Sequence, residues 1–258
     1  MTSTAAAPPP PRAYRRLSVE ERRAQLLVAA LGLFAHRAPD EVSLDEVAVA
    51  AGVSRPLVYR YFPGGRQQLY EAALGSAADE LKLCFTEPPV GPPTERVARV
   101  LDRYLRFVDE HDTGFSALLR GGSVVETSRT TTIVDGVRRA AAEEILSHLG
   151  RIGSPGERST GPRLRMMVRS WIAAVEAASL IWLDEGKQPS AAELRGWLVD
   201  HLIALLAATA ATDEETAAVV RDLLALETSD GPTGRLAELV IPVVAEAAHL
   251  LPHAPAAD

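Results

Sequence analysis

The chain has 258 residues, 47% hydrophobic and 24% charged, which is ordinary for a globular protein of one large domain or two smaller ones. Its apolar runs are broken by charges or glycines short of a membrane span, and its N-terminus lacks the apolar stretch of a signal peptide, so no membrane partner is expected. The single cysteine, Cys84, forms no internal disulfide and reads as a small buried apolar residue, which makes a reducing cytoplasm the expected location.

A net charge of −7 argues against a nucleic-acid partner until its distribution is read. Residues 1–66 carry nine arginines against six acids, whereas the remainder carries 18 basic and 28 acidic residues. A basic head on an acidic body points to two jobs in two parts.

Residues 1–11 are rich in Ala and Pro and too poor in apolar bulk to fold, so a disordered tail is expected, with 1–17 forming a basic N-terminal arm. SVEE (18–21) is a capping box that opens a helix with Leu26, Leu27, Ala30, Leu33 and Phe34 at helical spacing, ending near Arg37. SLDE (43–46) opens a short second helix that stops at Gly52, and Ser54 is placed to cap a third. A long fourth helix covers 66–85 and ends at EPPVGPP. Further helices are predicted over 94–110, 114–120, 126–149, 163–185, 190–211, 213–227 and 233–251. No strand alternation competes with them, so the fold class is all-α.

Segment 43–62 carries the functional signal. Ala48 is small where two helices approach, Gly52 suits a turn needing positive φ, and Val58 falls on the inner face of the next helix. Those offsets are the steric recipe of a helix-turn-helix. At about 100° per residue, Val58 and Phe62 share the inward face of VSRPLVYRYF, with Pro56 and Arg60 opposite and Arg55, Leu57, Tyr59 and Tyr61 on the flanks. An outward face of Arg and Tyr suits phosphates and base edges in a major groove. Pro56 then sits in the first helical turn, where its missing N–H has no partner to lose.

The run from Arg22 to Leu74 resembles the N-terminal domain of the TetR family of transcriptional regulators. The matching residues are Leu33–Phe34, Ser43 where threonine is usual, Val47–Ala48, AGVS at 51–54, Tyr59, Tyr61–Phe62 and Leu69. The resemblance implies a three-helix DNA-binding head (18–79) and a helical ligand-binding and dimerisation body (80–258). It also implies that Ser43, Ser54, Tyr59, Tyr61 and Arg66 position phosphates, while Arg55, Pro56, Leu57 and Arg60 face the groove. The chain departs from the pattern at Pro56 and Leu57, where Gly and Thr are usual, at Ala38, where glycine is usual, and at PGGR (63–66), which is one residue longer and reads as a flexible turn. Arg12, Arg15 and Arg16 lie close enough to the first helix to act as a minor-groove arm.

The same resemblance implies that the body pairs two copies through its last main helices, 167–185 and 191–210. Trp182 is the candidate contact on the first, and Leu194, Leu198, His201, Leu202 and Leu205, with Trp197 beside them, form the stripe on the second. A homodimer suits a palindromic double-stranded operator. A pocket is expected between the fourth helix and those from 94 to 185, lined by Leu83, Tyr104, Phe107, Phe115, Leu118, Val134, Met167, Trp171, Val175 and Glu176. Its effector is expected to be a largely apolar small molecule, and residues 121–132 read as a polar entrance or an ordinary helix start. The two helices beyond 211 are left either to extend the dimer or to cover the pocket.

The function expected is that of a ligand-responsive DNA-binding regulator, most often a repressor in this family, with activation as the alternative. The rival class is a helical enzyme or binding protein that lost DNA binding. No nucleophile, phosphate-loop or metal-ligand pattern supports it, and no cofactor is implied.

Overall fold

The computed structural model describes residues 17–112, 115, 129–151 and 160–248. Among them are ten α-helices, one 3-10 turn and no strand. The helices are α1 (Val19–Phe34), α2 (Leu44–Ala50), α3 (Arg55–Tyr61), α4 (Gly65–Phe85), α5 (Pro93–Glu110), α6 (Arg129–Arg151), α7 (Pro162–Asp184), α8 (Ala191–Ala210), α9 (Glu214–Leu224) and α10 (Pro232–Ala248). The N-terminal arm with its three arginines, Leu118, residues 121–128 and most of the expected 114–120 helix lie outside the described residues.

The helix starts are written locally. Ser18, Ser43 and Ser190 each close a capping box with the glutamate three residues on. Asp213 caps α9 by accepting from the Thr216 N–H at 3.0 Å. α1 stops at Phe34, short of the expected Arg37, and Ala38 is extended (ψ 151°), the conformation that a following proline favours. Pro39–Glu41 then form the 3-10 turn.

Two hydrophobic cores organise the chain. The head core joins Leu26, Ala30 and Phe34 of α1 with Val47 of α2, Val58 of α3, Phe62 and Leu69. The body core collects Leu101, Leu105 and Val108 of α5 with Val168 and Trp171 of α7, Leu198 of α8 and Val219 of α9. α4 belongs to both: it packs on α1 at its first turns and on α5 and α6 further along. Cys84 is half-buried rather than buried, and its thiol pKa is raised by desolvation.

By length and composition alone, α7 is apolar enough to cross a membrane. In the fold it is a core helix, with Leu164, Val168, Trp171, Val175, Ser179 and Trp182 buried against its neighbours.

Candidate nucleic-acid interface and internal cavity

The turn between α2 and α3 is a Schellman closure. The Gly52 N–H donates to Val49 O at 3.0 Å, the Val53 N–H donates to Ala48 O at 2.9 Å, and Gly52 holds φ at +64°. Gln25 of α1 locks this turn from outside through Nε2, which donates to Ala51 O at 2.8 Å. Val58 and Phe62 are fully buried beneath α3, and Pro56, Tyr59 and Arg60 are exposed on its far side. Arg23 of α1 lies over the Phe62 ring at 5.5 Å, so α1 braces α3 directly.

Ser54 is the N-cap residue of α3, but its side chain makes no capping bond. Pro56 has no N–H to offer at the second helical position, and the Leu57 N–H donates to the Ser54 carbonyl at 2.9 Å. The hydroxyl is thus left for another acceptor or donor. Ser43 is the reverse case, since its hydroxyl donates to Glu46 Oε2 at 2.7 Å and accepts from the Glu46 N–H. Arg37 joins the same carboxylate through a 2.6 Å ion pair. That guanidinium, then the Ser43 backbone N–H and hydroxyl, hold the Glu46 carboxyl down at about 2.

Arg55 extends along α3 with its guanidinium 5.5 Å from the Tyr59 ring centroid, while its Nε pairs with Asp45 Oδ1 of α2 at 2.7 Å. Arg60 lies over the Tyr61 ring at 5.7 Å, and Tyr61 itself leans partly into the head core. Leu57 is half-buried on the flank. Arg66 donates from Nη1 to the Asp40 carbonyl at 2.8 Å, tying the start of α4 to the 3-10 turn. PGGR is a closed turn rather than a loose one, because the Gly65 N–H donates to Phe62 O at 2.9 Å and Gly65 adopts φ +73°. Arg55, Pro56, Tyr59, Arg60 and Ser54 therefore share one exposed edge, flanked by Ser43 and Arg66. Sequence reasoning passed over Gln25, Arg23, Arg37 and Asp45, which brace that edge from other elements; no local pattern marks such long-range partners.

A cavity of about 260 Å³ lies between the head and the body, with walls from α1, α4, α5, α6, α7, α8 and α9. Tyr104, Phe107, Phe115, Val134, Trp171, Val175 and Glu176 line it as expected. Leu83 does not: it is 73% exposed, because two residues along a helix turn it about 200° from Leu81, which lines the cavity with Phe85. Met167 is buried one turn before Trp171, in the body core beyond the lining. The wall includes a part the sequence did not suggest, formed by Leu31, Phe34 and Ala35 of α1 with Tyr70 of α4. Phe34 and Tyr70 meet edge to face at 5.1 Å.

Polar groups are few and paired along most of this wall. Arg138 of α6 donates from Nε and Nη2 to both carboxylate oxygens of Glu176 on α7, at 2.9 and 2.7 Å. Hydrogen bonding to Glu176 raises the pKa of the Arg138 guanidinium. Burial drives the Tyr104 hydroxyl pKa far upward, keeping it neutral. Among the described residues, no group of three or more His, Cys, Asp or Glu side chains is placed to hold a metal ion. The helices beyond 211 contribute directly to the cavity. Leu223 of α9 lines it, and Glu227 accepts from the Thr94 N–H and hydroxyl at 2.8 and 2.6 Å, closing the α5 end.

The expected dimer stripe requires correction. Trp182, Leu194, Leu198 and Leu202 are buried in the chain's own core, where a second copy cannot reach them, and Trp182 donates from Nε1 to Pro189 O at 2.7 Å. Leu205 is half-buried against the same core. α8 is apolar on most of its sides, so its strongest stripe is the intramolecular one. Its exposed stripe runs through Trp197 (55% exposed), Ala204 and Ala208, with half-buried His201 stacked on Trp197 at 5.4 Å. α7 leaves a matching stripe of Met166, Ala173, Ala177 and Ile181 exposed.

Comparison with known proteins accounts for both parts. Residues 26–73 match the family model for bacterial regulatory proteins of the tetR family, and residues 93–205 match that for the tetracyclin repressor-like C-terminal domain. A TetR-family transcriptional regulator of known structure from Streptomyces coelicolor is 51% identical, covering 90% of this chain and all of that one, with a TM-score of 0.80. A TetR-family regulator structure from Rhodococcus sp. is 26% identical over 72% of this chain and 98% of that one, with a TM-score of 0.57. The HTH-type transcriptional repressor Rv3405c of Mycobacterium tuberculosis is 30% identical over 60% of this chain and 89% of its own length. The HTH-type transcriptional activator FasR of Mycolicibacterium smegmatis is 24% identical over 67% of this chain and 77% of its own. The two family models together cover most of the chain, and the chain belongs to the TetR family of transcriptional regulators.

Proposed function

We propose that this regulator works in the cytoplasm as a homodimeric repressor, with head 18–79 on a palindromic operator and body 80–258 releasing it when an apolar effector fills the cavity. The observation that carries this reading is the shared wall. α1, which braces the α2–α3 turn through Gln25, also lines the cavity through Leu31, Phe34 and Ala35. An effector that reshapes the wall displaces the element that aims α3, which couples the two sites. The exposed stripes of α7 and α8 set two copies together and fix the distance between their recognition helices. The Mycobacterium tuberculosis relative is a repressor; activation, the second reading, rests on FasR, an activator.

The test is operator selection with the purified protein, followed by fluorescence polarisation at several salt concentrations and release by apolar metabolites. Specific, salt-sensitive binding that a metabolite reverses is the expected result. Absence of a selected sequence overturns the reading, and a reporter activated through that operator decides for the second.

A further inference from the structure

The cavity has two unlike ends. At the α6–α7 side its charges are closed on each other through the Arg138–Glu176 pair. At the α5 end stands Arg96, whose Nε is buried and finds no hydrogen-bond acceptor. Of the acids around it, Glu87 is held by Arg99 at 2.6 Å and Arg103 at 2.7 Å and Glu227 is bound by Thr94, while Glu144 acts on it only through space. The remaining charges facing this end, Arg99 and Arg151, are of its own sign. Desolvation lowers the pKa of the Arg96 guanidinium, a sign that the cation lacks its full compensation.

The shape adds a second constraint. Arg96, Val97, Val100, Leu101, Tyr104, Phe107 and His111 line the cavity from the α5 side, so that wall runs for about 22 Å at the helical rise. α4 runs alongside with Tyr70, Ala73, Ala77, Leu81 and Phe85, all apolar or small.

From this we infer that the effector is an elongated amphiphile with an anionic head, its head group accepting from Arg96 and its chain running along α5 and α4 toward Phe34 and Tyr70. The inference rests on the effector reading above. A neutral chain satisfies the apolar wall and leaves the Arg96 charge uncompensated. A cationic one places like charge against it. A carboxylate supplies the missing acceptor and compensates the guanidinium in a charge-assisted bond.

Isothermal titration of the full-length protein with palmitic acid, methyl palmitate and hexadecylamine, each below its aggregation threshold, tests this without DNA. The acid is expected to bind about ten- to a hundredfold more tightly than the ester, and the amine most weakly. Arg96→Gln should bring acid and ester to the same affinity while leaving the ester where it was, which also shows an intact cavity. Arg96→Lys should restore much of the preference. Equal binding of acid and ester by the unaltered protein overturns the head-group assignment alone, as does a preference that survives Arg96→Gln. Failure of all three chains to bind overturns the apolar-effector reading with it.

Discussion

Arg55 enters the recognition edge already engaged, paired with Asp45 and lying along Tyr59. An exposed pair of this kind contributes little to stability, so its effect belongs to binding. Asp45→Asn should free the guanidinium and remove an acid from the DNA side, tightening operator binding and steepening its salt dependence in a polarisation titration. Arg60 carries no such pair among the described residues. Arg60→Ala is expected to cost about 1–3 kcal/mol of specific binding and to relax base preference at one position of each half-site, read by competition with single-base operator variants. Glu46 contributes to acid behaviour instead. Its carboxyl falls from an ordinary 4.5 to about 2 on folding, so its contribution is complete above about 4.5 and is lost as pH falls toward 2. Thermal unfolding of Glu46→Gln should therefore be less sensitive to pH across that interval than the unaltered protein. Ser43 and the glutamate three residues on were legible because a capping box is a local pattern. Arg37, nine residues from Glu46, was not, because its partner is fixed only by the fold.

At the level of elements, α2 and α3 depend on one backbone conformation. Gly52→Ala forces a Cβ into φ +64°, at about 1–2 kcal/mol, and Gly52→Asn should cost less because Asn tolerates that region. Chemical denaturation measures the stability loss, and operator binding should fall with it as α3 loses its fixed angle. The helix-turn-helix was readable because Ala48, Gly52 and Val58 answer to sterics within a dozen residues. The body was less readable for a physical reason. In α7 and α8 a helical period identifies a buried stripe without saying whether the chain itself or a second copy buries it, and Leu194, Leu198 and Leu202 proved to be the chain's own. Trp197 carries the opposite signature, a large ring left 55% exposed. Trp197→Glu should shift the protein toward monomer in analytical ultracentrifugation while leaving its helical content unchanged.

For the whole molecule, the cavity lies between the helix-turn-helix head and the body helices, with α1 forming part of its wall. Ala77 lines it from α4 without being fully buried. Ala77→Phe should occupy the ligand's space at about 1–3 kcal/mol of packing strain, giving a protein that holds its operator but no longer releases it when ligand is added. Fold class and the reading head were legible from one sequence because both rest on patterns a few turns long. The contribution of α1 to the cavity was not, since Leu31 and Phe34 look like ordinary core residues until α4 brings the body beneath them.

That shared wall has a consequence for how such a protein diversifies. A lineage that acquires a new inducer by altering Phe34 or Tyr70 changes, in the same step, the packing beneath its DNA-reading helices. Recombination that joins this head to a foreign body leaves Leu31, Phe34 and Ala35 facing a surface they were never selected against. Chimeric sensors built at the α4 junction should therefore inherit operator choice readily and inducibility poorly, unless the four wall residues travel with the body that they complete.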